Sequence, residues 1–269
     1  MNQAEHVFIQ TVKNHYKKYG RHDLPWRKTA DVYHIVVSEI MLQQTQVDRV
    51  IPKYTAFLKK FPTVQKLAKA QLADVLALWS GLGYNRRAKY LHQMAQVVIS
   101  EHKGKLPTTI EGLKTLPGIG PYTAGAIYAF AYNKPVPMIE TNIRTVYIHH
   151  FFPTKKSVSD KDLVKVIEQT LDTKNPREWY WALMDYGSHL KSTGVKNNAK
   201  SKHYIKQSKF QGSKRQIRGV IMREVLKGPT AVQHMLKVLD RTKEEVQPVF
   251  DDLAQEGFIK KVKGKYWVK

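Results

Sequence analysis

The sequence predicts a mainly α-helical protein: a large, two-lobed helical core followed by a small C-terminal module of winged-helix type. Three features carry that reading. Apolar residues through the first 190 positions recur at intervals of three and four, the spacing that lines one face of a helix. No stretch there alternates convincingly with period two, which argues against a sheet-based core. Only the end of the chain, FIKKVKGKYWVK, alternates, and it does so around Lys263-Gly264 as a hairpin would.

Taken in order, the first twenty residues, MNQAEHVFIQTVKNHYKKYG, read as a helix with polar interruptions and lack the apolar core of a signal peptide. Amphipathic segments separated by Gly and Pro follow at 33–61, 64–70, 72–79 and 88–102, and two more apolar helices are expected at 125–131 and 143–152. Between 191 and 218 the composition changes to nine Lys/Arg, no acidic residue and few apolar positions, so residues 191–212 read as a basic linker. Helical patterns at 214–227, 230–240 and 242–256 then precede the hairpin. Three helices and a hairpin suggest a winged helix over 213–269; a plain helical bundle with a frayed tail is the alternative.

Lys and Arg number 45 against 22 acidic residues, a net charge of +23, and an excess of that size favours a polyanionic partner, nucleic acid first. The last 79 positions alone carry +12. A membrane partner is set aside because no apolar run approaches the ~20 residues of a spanning helix and no basic amphipathic anchor stands apart. A soluble, cytoplasmic, nucleoid-associated protein is expected. With no cysteine, the chain has no disulfide, no thiolate zinc site and no cysteine-ligated iron–sulfur cluster. Neither a cofactor nor a metal is expected.

Three local strings hold chemistry. In LPGIGPYTA at 116–124, Gly118 and Gly120 would let the chain turn tightly and bring bare amides to a phosphate, with the positive end of the following helix behind them. An ordinary interhelical turn fits the same spacing. In SEIMLQQTQV at 38–47, Glu39 interrupts an apolar helix; a desolvated carboxyl there has a raised pKa and serves as a general acid, whereas a paired surface glutamate is the other reading. In PMIETNIR at 137–144, Glu140 stands where a helix begins, and a capping role, for it or for Thr141, is the alternative to a catalytic one.

From about Gly20 to Gly187, roughly three-fifths of its length, the chain resembles the MutY-type adenine DNA glycosylases, in the helix-hairpin-helix superfamily that includes endonuclease III. The resemblance rests on five collinear strings: GRHDLPWR at 20–27, SEIMLQQTQV at 38–47, GLGY at 81–84, LPGIGPYTAGAI at 116–127 and ALMDYG at 182–187. It implies a glycosylase domain over 1–190 that acts as a monomer on double-stranded DNA containing a mismatched or damaged base. The activity implied is excision of adenine opposite guanine or 8-oxoguanine. Alternatives are removal of thymine or uracil opposite guanine or of a deaminated or alkylated purine, and lesion binding without catalysis. Glu39 matches the acid that protonates the leaving base, Glu140 the carboxylate that stabilises the sugar cation, and Asn142 its companion. Tyr122 stands where bifunctional relatives carry a Schiff-base lysine, so no lyase step is expected. Leu24, Trp26, Arg27, Gln43, Gln44, Thr45, Tyr84, Arg86, Gly118, Gly120 and Thr123 match base-pocket and DNA-binding positions, Gln44 as the wedge that fills the stack beside a flipped nucleotide.

The chain departs from the family pattern at four places. Glu140 replaces aspartate, and one extra methylene moves the carboxylate by more than an ångström. Lys191, Lys196, Lys200 and Lys202 occupy the stretch where cluster-ligating cysteines are expected. The domain that inspects 8-oxoguanine is not recognisable, and Asn85 replaces a second aromatic after GLGY.

Overall fold

A computed structural model of the chain describes residues 2–202 and 209–269. In chain order it contains α1 (Gln3–Tyr19), a 3-10 turn (Pro25–Arg27), α2 (Val32–Leu42), α3 (Val47–Lys60), α4 (Val64–Ala68), α5 (Leu72–Trp79), α6 (Arg86–Ser100), α7 (Ile110–Lys114), α8 (Pro121–Tyr132), α9 (Thr141–Phe151), α10 (Asp160–Thr170) and α11 (Pro176–Ser192). A second 3-10 turn (Asn197–Lys200), α12 (Lys214–Lys227), α13 (Val232–Leu239), α14 (Lys243–Gln255), β1 (Ile259–Val262) and β2 (Lys265–Val268) complete it. The expected mainly helical class is what the chain adopts.

The expected segment 33–61 divides into two helices. Helix α2 stops at Leu42, and Gln44 enters the left-handed region at φ 55° before α3 begins. Glutamine is a good helix former, so the Gln43–Gln46 stretch left no mark in the apolar periodicity.

The chain forms two compact units, Met1–Thr55 with Val97–Ile205 and Ala56–Gln96 with Lys206–Lys269. In the first, α1 is nucleated by a capping box between Asn2 and Glu5 and buries Phe8, Val12 and Tyr16, one residue per turn, against α11. Phe8 meets Trp179 edge-on at 5.9 Å. Helix α2 is apolar on nearly all sides, buries eight of its eleven residues and packs on α8. Helices α9 and α11 cross so closely that a Cβ on Gly187 would lie 2.4 Å from the Asn142 carbonyl oxygen; only glycine permits the approach. The contacts α2–α8, α8–α11 and α9–α11 thus fix where Glu39, Tyr122, Glu140 and Asp185 stand.

In the second unit, Phe57 and Trp79 meet edge-on at 6.2 Å, and α12 packs against both α5 and α14. In chain order α12, α13 and α14 precede the β1–β2 hairpin, which gives the three helices and the hairpin expected over 213–269. The antiparallel hairpin turns at Lys263 (φ 49°) and Gly264 (φ 76°), two successive left-handed residues that match the twist of the strands. Thr230 pairs with Tyr266 as an added bridge at the sheet edge. Of the expected linker 191–212, residues 203–208 lie outside the described residues. Before them α11 runs to Ser192, the 3-10 turn follows, and Val158 pairs with Ser201 in an isolated parallel bridge. Among the described residues, no helix is long and apolar enough to cross a membrane.

Candidate active site

Three helices of the first unit bring Glu39, Tyr122 and Glu140 together. Glu39 sits in the body of α2 and is 7% exposed. Burial, joined by the negative charge of Glu140, pushes its pKa from the usual 4.5 up to about 8, against smaller opposing effects of a hydrogen bond from Tyr122 and the charge of Arg27. Glu39 is therefore a protonated acid at neutral pH. Tyr122, one residue inside α8, hydrogen-bonds to Glu39, and burial together with both carboxylates raises its own pKa far above the usual phenol value. It is a neutral hydrogen-bond donor.

Glu140 is the N-cap of α9. Its Oε1 accepts from the backbone amides of Asn142 (2.6 Å) and Ile143 (2.8 Å), and its Oε2 from Asn142 Nδ2 (3.3 Å). The capping alternative is thus realised, with Glu140 and not Thr141 as the cap, and the same carboxylate lies close enough to Glu39 to perturb its titration. Burial raises the pKa of Glu140; the amides of Ile143 and Asn142 and the charge of Lys191 counteract this in part. Oδ1 of Asn142 is buried with no hydrogen-bond partner among the described residues.

Beside this group stands a buried ion pair. Arg27, at the end of the first 3-10 turn, is held fork-to-fork by Asp185 of α11, at 2.7 Å and 2.9 Å, with both side chains almost wholly buried. Arg21 joins from the backbone (2.8 Å) and the side chain (2.7 Å). Burial works to raise the pKa of Asp185, but its bonds to Arg27 and Arg21 outweigh it and hold the carboxyl below its usual range. Asp185 was visible within ALMDYG yet not singled out. The available signal was the one that marked Glu39, a lone acid inside an apolar helix.

Leu24 and Trp26 are buried in the same unit, Trp26 edge-on to Tyr54 at 5.5 Å. Gln43 donates to Thr123 at 3.2 Å, tying the end of α2 to the start of α8, and Thr45 turns its hydroxyl back onto the Gln43 carbonyl. Gln44 is exposed on its left-handed backbone. Of the two hairpin glycines, Gly118 (φ 80°) makes the turn; Gly120 is extended, a conformation open to any residue, and caps α8 with open space where a Cβ would stand. Tyr84 and Arg86 belong to the second unit, where Tyr84 accepts from Arg215 and Arg86 binds Glu256.

The segment after α11 supplies lysine, asparagine and serine but no thiolate, so it does not fit a cysteine-ligated iron–sulfur cluster. Protein bonds hold it instead: Arg144 reaches both Asp160 and Ser201 Oγ (2.9 Å for the latter), and Lys200 Nζ reaches the Pro153 carbonyl at 2.8 Å.

A buried acid on one helix, a hairpin glycine leading into a second and a capping carboxylate on a third thus meet within one unit. Residues 37–170 match the pattern of the HhH-GPD superfamily base excision DNA repair proteins, and the chain belongs to that superfamily. It is 42% identical over 174 residues to the adenine DNA glycosylase of Mycolicibacterium smegmatis, covering 63% of this chain and 59% of that protein. It is 36% identical over 190 residues to the adenine DNA glycosylase of Buchnera aphidicola, covering 70% and 54%. The chain thus spans about half the length of the curated relatives it matches. A thermostable thymine-DNA glycosylase has a similar structure, with a TM-score of 0.63 and 25% identity over 76% of this chain and 97% of that one.

Proposed function

We propose that the chain is a monofunctional DNA glycosylase of base excision repair that removes adenine mispaired with guanine or 8-oxoguanine, acting as a monomer on cellular DNA. The observation that carries this is the pairing of a protonated, buried Glu39 with the amide-held carboxylate of Glu140. Breaking an N-glycosidic bond needs a proton on the departing base and a negative group beside the cationic sugar. Glu39 delivers its proton to a ring nitrogen of the base as the C1′–N bond breaks, and the bonding pair leaves with the base. Glu140 stabilises the cation left at C1′. Water adds there and gives up a proton to the Glu39 carboxylate, which yields an abasic site and restores the acid. The buried, unpartnered Oδ1 of Asn142 is an acceptor suited to orient that water.

Tyr122 offers a hydroxyl and no amine, so no Schiff base forms and the strand stays intact. Arg27, fixed by Asp185, and Trp26 form part of the base pocket, and exposed Gln44 enters the space the flipped nucleotide vacates. Gly118 and Gly120 present backbone amides to a phosphate, and residues 213–269 grip duplex DNA. The reading uses no metal and no cluster. It is tested with excess protein on duplexes carrying A·G, A·8-oxoguanine, T·G, U·G or hypoxanthine, with abasic sites revealed by alkali. Alkali-dependent cleavage confined to the adenine mismatches is expected. Cleavage of T·G alone would transfer the activity to thymine, strand scission without alkali would refute the monofunctional step, and binding without cleavage would remove the enzyme reading.

A further inference from the structure

The GLGY turn between α5 and α6 is built at some cost and held from two sides within its own unit. Gly81 and Gly83 are left-handed, as glycine allows, but so is Tyr84 at φ 50°, a conformation that a bulky side chain adopts only when its surroundings impose it. From inside, Trp79 Nε1 donates to the Gly83 carbonyl at 3.1 Å, and buried Arg87 donates to the carbonyls of Leu82 (3.3 Å) and Gly83 (3.1 Å). The Arg87 guanidinium also lies over the Tyr84 ring, 5.5 Å from its centre. From outside, the C-terminal residues close on it. Arg215, in the first turn of α12, donates to the Tyr84 hydroxyl at 2.7 Å. One turn on, Arg218 and Arg86 bind the same Glu256 carboxylate, at the end of α14, and Lys89 reaches its backbone carbonyl.

Tyr84 is nonetheless 40% exposed. Its hydroxyl is held by Arg215, and the guanidinium groups of Arg87 and Arg215 lie over its ring, 5.5 Å and 6.0 Å from the centre, while the residue keeps contact with solvent. A ring immobilised in that way is suited to stack on a nucleobase, because the entropy of fixing it has already been spent. The guanidinium of Arg86 is by contrast engaged with Glu256, so its visible role is to tie the turn to α14.

Resting on the glycosylase reading for its partner, we propose that residues 213–269 brace a DNA-contacting aromatic: Arg215 is a positioning residue that sets Tyr84 for stacking on a base of the bound duplex. The module then contributes to DNA recognition through the turn it holds, beyond any phosphate contacts of its own.

The full-length chain carrying Tyr84→Phe, Arg215→Ala, Arg215→Lys or Tyr84→Phe with Arg215→Ala tests this. Tyr84→Phe removes the hydroxyl without altering charge or ring area. Hydrogen exchange of the peptide spanning 80–88 is measured without DNA, and affinity for an A·G duplex by fluorescence anisotropy. Both Tyr84→Phe and Arg215→Ala should speed exchange and weaken binding about fivefold, the order expected for one hydrogen bond. The double variant should bind no worse than the weaker single one, and Arg215→Lys, which keeps a donor, should recover most of the affinity. Additive losses would make Arg215 an independent phosphate contact and overturn the bracing role. Unchanged exchange, or faster exchange with unchanged affinity in Tyr84→Phe, would overturn it as well. Neither readout requires excision, so failure of the glycosylase chemistry shows only in the alkali assay and failure of the brace only here.

Discussion

The burial of Glu39 makes stability and chemistry oppose each other, and Glu39→Gln separates them. Its pKa rises from 4.5 unfolded to about 8 folded, so between those values the folded state holds a proton that the unfolded state releases. Stability from this group is therefore fully present below pH 4.5 and is lost progressively up to pH 8. At about 1.36 kcal/mol per pH unit, the loss reaches about 3 kcal/mol at pH 7 and about 1 kcal/mol at pH 5.5. Glutamine cannot titrate but keeps a carbonyl to accept from Tyr122. Glu39→Gln should therefore be inactive yet more stable than the parent at neutral pH, and its advantage should shrink by about 2 kcal/mol between pH 7 and pH 5.5. Urea unfolding at the two pH values, followed by tryptophan fluorescence, measures this. Parallel pH dependences of the two proteins, or a less stable variant at pH 7, would refute the claim that Glu39 is buried as an acid.

Four other outcomes follow from the same geometry. Single-turnover excision should fall about tenfold per unit above about pH 8, where Glu39 loses its proton; a rate still rising there would assign the acid elsewhere. Asp185→Ala strands the buried Arg27 guanidinium and should cost about 3–5 kcal/mol in urea unfolding, and a loss below about 1 kcal/mol would show the pair to be solvated. Gly187→Ala would place a Cβ 2.4 Å from the Asn142 carbonyl, so the α9 start must move; a displacement of ~1 Å predicts about a 10²-fold slower single-turnover rate with duplex binding retained, and an unchanged rate would unlink the crossing from the site. Glu140→Asp keeps a good N-cap and should leave stability within about 0.5 kcal/mol, yet it withdraws the carboxylate by one methylene and should slow excision about 10²-fold. Equal rates would show that the site tolerates either length.

The elements with regular apolar spacing were legible: α5 and α12 fall where periodicity puts them, and the C-terminal turn was written in Lys263-Gly264. What periodicity missed were features made by single backbone torsions or by distant pairings. The break at Gln44 is a reversal of φ within residues that favour helix, and the Arg27–Asp185 pair joins positions 158 apart. Glu39 could be read because an acid in an apolar helix contradicts its surroundings. Arg86, by contrast, reads as a DNA-facing cation, and nothing in the sequence announces its bidentate partner Glu256. Net charge has the same blind spot, since it counts cations that are already engaged within the fold.

The division of labour between the two carboxylates follows from what each can accept. Both are pushed toward the neutral form by burial, and placed together they resist ionising at once, so the first proton lost belongs to the pair. The anion settles where donors already point. Glu140 has two backbone amides at the positive end of α9, the Asn142 amide group and the charge of Lys191, whereas Glu39 has one tyrosine hydroxyl and the charge of Arg27. Glu140 is accordingly the carboxylate and Glu39 the acid at neutral pH, and the asymmetry comes from the helix termini, not from residue type. An amide-held anion is also the group whose position depends most strictly on where α9 begins. The Gly187 crossing against Asn142 therefore bears on the proposed excision although Gly187 carries no side chain.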